Sequence, residues 1–182
     1  MIIVRHRRNT DEELAEISTN HGAEIDIRSQ GEHLVLHHEP YQDGKRFDTW
    51  LENYDHAILI LNVKEEGLEG RVLELMAKKG IDDFFFLDQS FPFLVKTSRT
   101  GESRCAVRVS EFENINTAMS LAGKVDWVWI DCFTRFPLDR NSATRLKEAG
   151  FKLCVVSPEL QGRMQQSDTD EIVAAMNDAG VV

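Results

Sequence analysis

An α/β fold, a compact (β/α)8 TIM-barrel-like domain over residues 1–182 with its last strand stunted or missing, is what the sequence predicts. Three observations carry that expectation. Short apolar strands alternate with helical patterns from one end to the other, the strand segments number seven, and the length suits one domain of roughly 100 to 200 residues. An open doubly wound sheet is the competitor, because both architectures need parallel strands buried on both faces.

The strand segments are "MIIVRH", "AEIDIR", "AILILNV", "DFFFL", "CAVRV", "VDWVWID" and "FKLCVV", each a short apolar or β-branched run of strand length. Between them lie the helical segments "TDEELAEISTNHG", "RFDTWLENY", "LEGRVLELMAKKG", "ENINTAMSLAG", "RNSATRLKEAG" and "TDEIVAAMNDAG". Thr10 with Glu13 forms a capping-box start for the first of these, and several of them stop at a glycine. The closing "DAGVV" is where an eighth strand would begin.

Composition excludes several classes. A formal charge of -10 argues against a general nucleic-acid binder, which needs basic surface to displace counterions. No stretch approaches the roughly 20 apolar residues of a membrane span, and "MIIVRHRRNTDEE" lacks the apolar core of a signal peptide, so a cytoplasmic protein is expected. Cys105, Cys132 and Cys154 are widely spaced and sit in apolar runs, which suits buried reduced thiols better than disulfides, zinc or a nucleophile.

The stretch "GAEIDIRSQGEHLVLHHEP" is harder to read as scaffolding. Alternation places Ala23, Ile25 and Ile27 on one face of a strand and Glu24, Asp26 and Arg28 on the other. Two carboxylates two residues apart stand roughly 6.5 to 7 Å from each other at the backbone, close enough to share one hard cation. Glu24 and Asp26 are therefore candidate ligands for Mg2+ or Ca2+; a solvated face or an ion pair to Arg28 is the plainer alternative. After a turn at Gly31 the run "HLVLHHE" delivers His37 and His38. In either α/β architecture reactive groups gather at the carboxyl ends of strands, and His6, Glu24 with Asp26, Asn62 with Lys64, Asp88 and Asp131 all lie there.

These motifs, in this order, resemble the glycerophosphodiester phosphodiesterase superfamily, which includes phosphatidylinositol-specific phospholipase C and sphingomyelinase D. The family's His-Arg-Gly and Glu-Asn-Thr are similar to "HRRNT", which keeps His6, Arg7, Asn9 and Thr10. "GAEID" resembles its Gly-Ala-Asp with Glu-x-Asp, "LVLHHEP" its apolar run ending in His-Asp, "NVK" its Glu-x-Lys, and Ser90 with Phe91 a Ser-Phe pair. The resemblance implies a (β/α)8 barrel and a metal-assisted phosphodiesterase acting on a small glycerol-, inositol- or sugar-linked diester. It implies His6 and His38 as the acid-base pair, Arg7 and Lys64 as contacts to the substrate phosphate, and Asn62 as a third metal position beside Glu24 and Asp26. Imidazoles suit acid-base work because either protonation state is accessible near neutral pH.

The sequence also departs from the family. Asn62 replaces an acid and so supplies an oxygen without charge, Glu39 stands where aspartate is usual, and "HRRNT" is compressed. Only 23 residues, 39 to 61, separate His38 from Asn62, where typical family members insert a small subdomain. A catalytically degenerate barrel that binds a phosphorylated ligand or a protein partner is the alternative, and the incomplete barrel edge is where a second chain could pair.

Overall fold

The structure, a computed structural model, describes residues 1–181. The chain divides into two compact units, Met1–Thr97 and Ser98–Val182.

In the first unit β1 (Val4–Arg5), β2 (Gly22–Gln30), β5 (Leu59–Val63) and β6 (Phe84–Leu87) run parallel in the order β1-β2-β5-β6. Between them lie α1 (Asp11–Ala15), α2 (Phe47–Trp50) and α3 (Glu69–Lys79), and α4 (Phe91–Arg99) follows β6. β3 (His33–Leu36) and β4 (Lys45–Arg46) form an antiparallel extension of β2. α1 starts with the expected capping box, the Thr10 hydroxyl accepting from the Glu13 N–H and the Glu13 carboxylate from the Thr10 N–H. α2 packs Phe47 and Trp50 fully inside, and the Trp50 indole stacks on Tyr54.

β2 organises this sheet because it is the longest strand and is used on both edges. One edge carries β5 from Ala23 to Ile27. The other edge is shared: β1 pairs only with Gly22 and Ala23, and β3 pairs only from Ile27 to Gln30. Buried backbone groups require partners, so the gap between them must be filled by something other than a strand. The loop after β1 fills it. Arg8 N–H donates to the Glu24 carbonyl at 2.8 Å, the Asn9 side-chain oxygen accepts from the Asp26 N–H at 2.8 Å, and His37 N–H donates to the Asp26 carbonyl at 3.0 Å. The irregular segment "RRN" is thereby locked against the strand that carries both carboxylates.

The second unit is a three-stranded parallel sheet, β7 (Ala106–Val109), β8 (Trp127–Ile130) and β9 (Lys152–Val155), with α5 (Ile115–Met119), α6 (Arg140–Glu148) and α7 (Gln166–Asp178). A single 3-10 turn, Pro158–Gln161, precedes α7. Glu111 caps the loop after β8, accepting from the backbone N–H groups of Phe133, Thr134 and Arg135. Cys105 and Cys132 are fully buried and unbridged, and burial pushes the Cys132 thiol up to about 12, so it is inert.

All seven expected strand segments form, and so does the hairpin at Gly31. Two features differ from expectation. The parallel strands fall into two sheets, one of them mixed, so among the described residues they do not close as one hydrogen-bonded (β/α)8 ring. α4 is not among the expected helices; Pro92 in its first turn, where proline needs no N–H partner, is the signal for a helix start. Among the described residues no eighth strand follows α7, which agrees with a last strand stunted or missing; the end of α7 is capped through Ala179 and Gly180, and Val182 lies outside the described residues. Among the described residues no helix is long and apolar enough to cross a membrane.

Gly22 fixes the start of β2 against its neighbours. A Cβ there would stand 2.6 Å from Ile58 Cγ2, 2.8 Å from the Ile58 carbonyl oxygen and 2.9 Å from Val4 Cγ2. Gly22→Ala should therefore cost about 1 to 3 kcal/mol, the usual penalty for overpacking, read as a lower urea midpoint. A midpoint equal to the parent's would show that the β1 end of the sheet yields freely.

Candidate active site

The charged face of β2 does not look at solvent. Glu24 is 1% exposed and Asp26 fully buried, as buried as Ala23, Ile25 and Ile27 on the opposite face. An ionised carboxylate taken out of water is costly unless hydrogen-bonded and paired, so the partners of these two define the site.

Glu24 Oε2 accepts the backbone N–H of Arg7 at 2.7 Å and lies 3.6 Å from His6 Nε2, while Oε1 accepts the Asn62 amide at 2.8 Å. Asp26 Oδ2 accepts the Asn9 amide at 2.9 Å, completing a reciprocal pair with the Asp26 N–H. Its Oδ1 lies 3.1 Å from Lys64 Nζ, which is also 3.5 Å from Asp88 Oδ2. The parallel register, Asp26 beside Asn62, explains why the β5 residues Asn62 and Lys64 reach the β2 carboxylates.

His38 is held from three sides. Its Nδ1 lies 2.6 Å from Glu39 Oε1 and its Nε2 2.7 Å from Arg7 Nη2, and its carbonyl accepts both Nε and Nη2 of Arg28. A guanidinium only donates, so Nε2 is the acceptor and Nδ1 carries the proton toward Glu39. Arg7 is thus bound at both ends, and it adopts a left-handed backbone with φ 54°. Asp88, the residue after β6, is left-handed as well at φ 63°. Strained non-glycine backbone of this kind persists where surrounding contacts over-determine it, commonly at functional sites.

The seven residues singled out from sequence, His6, Arg7, Glu24, Asp26, His38, Asn62 and Lys64, therefore form one connected cluster. Three further members went unassigned. Asn9 pins Asp26, Asp88 shares Lys64, and Arg28 steadies His38. Asn9 was visible in "HRRNT" and Asp88 at a strand end, but their partners depend on strand register. Outside the cluster, His33 is exposed, whereas His56 is partly buried and its ring lies 5.5 Å from Tyr54. A cavity of about 160 Å³ adjoins the cluster, sharing Lys64 and Asp88 with it and lined also by Gln89, Ser90 and Phe93.

Measured against a resident divalent cation, the donor set does not fit. Three of the four carboxylate oxygens of Glu24 and Asp26 already accept N–H donors, and the fourth, Asp26 Oδ1, makes no hydrogen bond among the described residues and lies 3.1 Å from the Lys64 ammonium. Asn62 directs its amide N–H, not its oxygen, at Glu24. An ion ligating Asp26 would lie about 4 Å from Lys64 Nζ, where repulsion between double and single positive charges is about 8 kcal/mol at an effective dielectric of 20. Among the described residues no group of three or more His, Cys, Asp or Glu is disposed to hold a metal.

No family model matches the chain, and no curated protein matches it. Solved structures do match. The glycerophosphodiester phosphodiesterase of Agrobacterium tumefaciens aligns over 85% of this chain and 86% of its own, at 15% identity and a TM-score of 0.63. A mutant tryptophan synthase α-subunit from Pyrococcus furiosus aligns over 100% and 98%, at 10% identity and a TM-score of 0.51. A glycerophosphoryl diester phosphodiesterase of Parabacteroides distasonis aligns over 97% and 86% at 13% identity, with a TM-score of 0.48 that is too low to bear on the fold. The class that the first two likenesses define is a TIM-barrel-like α/β fold, and at such identities the likeness is one of fold alone.

Burial, reinforced by the charge on Arg7, lowers the His6 pKa from 6.5 to about 4, so the ring is neutral at pH 7. Burial, reinforced by the charge on Asp26, raises the Glu24 pKa from 4.5 to about 7. The folded state resists protonating His6, so this contribution to stability is lost as pH falls from 6.5 toward 4. The folded state holds the Glu24 proton, so this contribution is lost as pH rises from 4.5 toward 7. The two slopes oppose between 4.5 and 6.5. Glu24→Gln should remove the falling limb, a change on the order of 2 kcal/mol across that range in urea-derived stability. The slope is the readout, because the amide also exchanges an acceptor for a donor; an unchanged slope would mean that Glu24 titrates normally.

Proposed function

We propose that this chain is a phosphodiesterase of the glycerophosphodiester type, cleaving a small glycerol-, inositol- or sugar-linked phosphodiester with His6 and His38 as the acid-base pair. The observation that carries this reading is that Glu24 and Arg7 link the two imidazoles: His6 Nε2 lies 3.6 Å from Glu24 Oε2, which also accepts the Arg7 N–H. His6 precedes Arg7 in the chain, and Arg7 Nη2 lies 2.7 Å from His38 Nε2. The fold likeness to the Agrobacterium phosphodiesterase supports it.

In the proposed reaction Arg7 and Lys64 neutralise the non-bridging oxygens, as cationic donors do for phosphoryl groups. His6, kept neutral by burial, takes the proton of the attacking hydroxyl as its oxygen bonds to phosphorus. The bond from phosphorus to the leaving oxygen breaks, and that oxygen takes the Nε2 proton of His38 in its imidazolium form, in which Nε2 has left the Arg7 guanidinium while Nδ1 stays oriented by Glu39. With water as nucleophile the products are a phosphomonoester and an alcohol, and exchange with solvent resets both rings. The cavity beside Lys64 accommodates one of the two alcohol groups.

One observation favours a binding protein without turnover: the Arg7 guanidinium caps the same His38 nitrogen that a general acid would use. Incubating the purified protein with glycerol-, inositol- and sugar-linked diesters and measuring released monoester separates the two. Turnover that falls about 100-fold or more in His6→Ala and in His38→Ala is expected, the usual worth of a general acid or base. An intact substrate panel with the wild type would leave the binding protein as the function.

A further inference from the structure

We propose that Lys64 is the resident cation of this site, so that phosphoryl groups are bound and neutralised by its ammonium and the Arg7 guanidinium without a divalent metal. The inference rests on the phosphodiester reading only in taking the ligand to be a phosphate ester.

Lys64 stands at the end of β5, and its backbone is fixed by its own N–H, which donates to the Ile27 carbonyl at 3.0 Å. Its side chain is 16% exposed, and its ammonium lies between Asp26 Oδ1 at 3.1 Å and Asp88 Oδ2 at 3.5 Å. An ammonium has three N–H donors. Two carboxylates flank it at ion-pair distance, and the cavity that Lys64 lines opens beside it. A cation steadied by two acids and open on one side is what a hard metal would otherwise supply.

Asn62 fits this arrangement. It sits in register with Asp26, where a further carboxylate would add the charge that a divalent ion requires. Its amide instead donates to Glu24 Oε1, which braces that carboxylate and adds no negative charge. An acid at position 62 would set two carboxylates against each other beside the ammonium. The amide at position 62 and the lysine at position 64 thus belong to one arrangement, in which the cation comes from the chain.

The Arg7 side of the site is built the same way. Its backbone N–H occupies Glu24 Oε2, and its guanidinium reaches His38. Both Glu24 oxygens and Asp26 Oδ2 are spent on protein donors, Asp26 Oδ1 faces the Lys64 ammonium, Asn62 Oδ1 has no hydrogen-bond partner among the described residues, and the two cationic side chains are left facing the ligand.

The test is calorimetric and uses the whole chain after treatment with chelator. Titration with Mg2+ and with Ca2+ should give no saturable binding at millimolar metal, and inorganic phosphate should bind with the same affinity in chelator and in Mg2+. Lys64→Met should weaken phosphate binding at least tenfold. Because that change strands Asp26, Lys64→Arg is measured beside it and should stay within about threefold of the wild type. Saturable metal binding to the wild type that disappears in Glu24→Gln, or phosphate binding seen only with metal present, would overturn the inference, as would a protein that binds no phosphate in either buffer. None of these readouts involves turnover, so failure of the diester panel and failure of this inference remain separable.

Discussion

Burial of two carboxylates on one strand is the constraint from which the rest of the first unit follows. An exposed Glu-x-Asp would need nothing from its surroundings, whereas Glu24 and Asp26 inside the protein demand donors for every oxygen. The demand is met from three directions: the loop after β1 through Arg7 and Asn9, the neighbouring strand β5 through Asn62 and Lys64, and the His6 ring. Meeting it truncates β1 at two residues and pushes Arg7 into a left-handed turn. Among the described residues Asp26 Oδ1 and Asn62 Oδ1 make no hydrogen bond, and the other groups of the set hold the network rigid, because removing a donor leaves a buried group unpaired.

Much of the fold was legible in the sequence, for reasons that also mark the limit. Runs such as "LILNV" and "FFFL" are strands at first sight because few other roles suit short, dense, apolar segments. The grouping of those strands into two sheets was not legible, since pairing between sequential parallel strands leaves no local mark. α4 was hidden by "FPF", where proline reads as a breaker until its place in the first turn is known. The same division runs through the site. Alternation separated Glu24 and Asp26 from the apolar face, yet alternation with polar residues usually means that one face is wet, and here both are dry. The link from Lys64 to Asp26 follows from the β2–β5 register, and the share that Asp88 takes in Lys64 follows from a left-handed residue no pattern announces.

Fold likeness alone does not select a chemistry for this chain. Two of its structural neighbours, a phosphodiesterase and a tryptophan synthase subunit, carry different activities on related scaffolds. What separates the options is the identity and spacing of a few side chains: two imidazoles, a guanidinium and an ammonium gathered over two buried acids. Under the proposed function such a set would meet anionic oxygens on phosphorus, and its position at the ends of β1, β5 and the parallel part of β2 agrees with where α/β sheets present reactive groups.

Arg7 contributes through two chemically independent halves. Its guanidinium meets His38, and its main-chain N–H meets Glu24. Alanine scanning erases the first half and leaves the second intact, so it understates what the position does. The hidden half belongs to the peptide unit rather than to the residue type, and many side chains could stand at position 7 while the acid beneath stays satisfied. Proline alone among the ordinary residues would cut that bond, since it has no N–H to give and its ring forbids a positive φ. Selection on this position can therefore act on ligand contact while the support of Glu24 is inherited without cost.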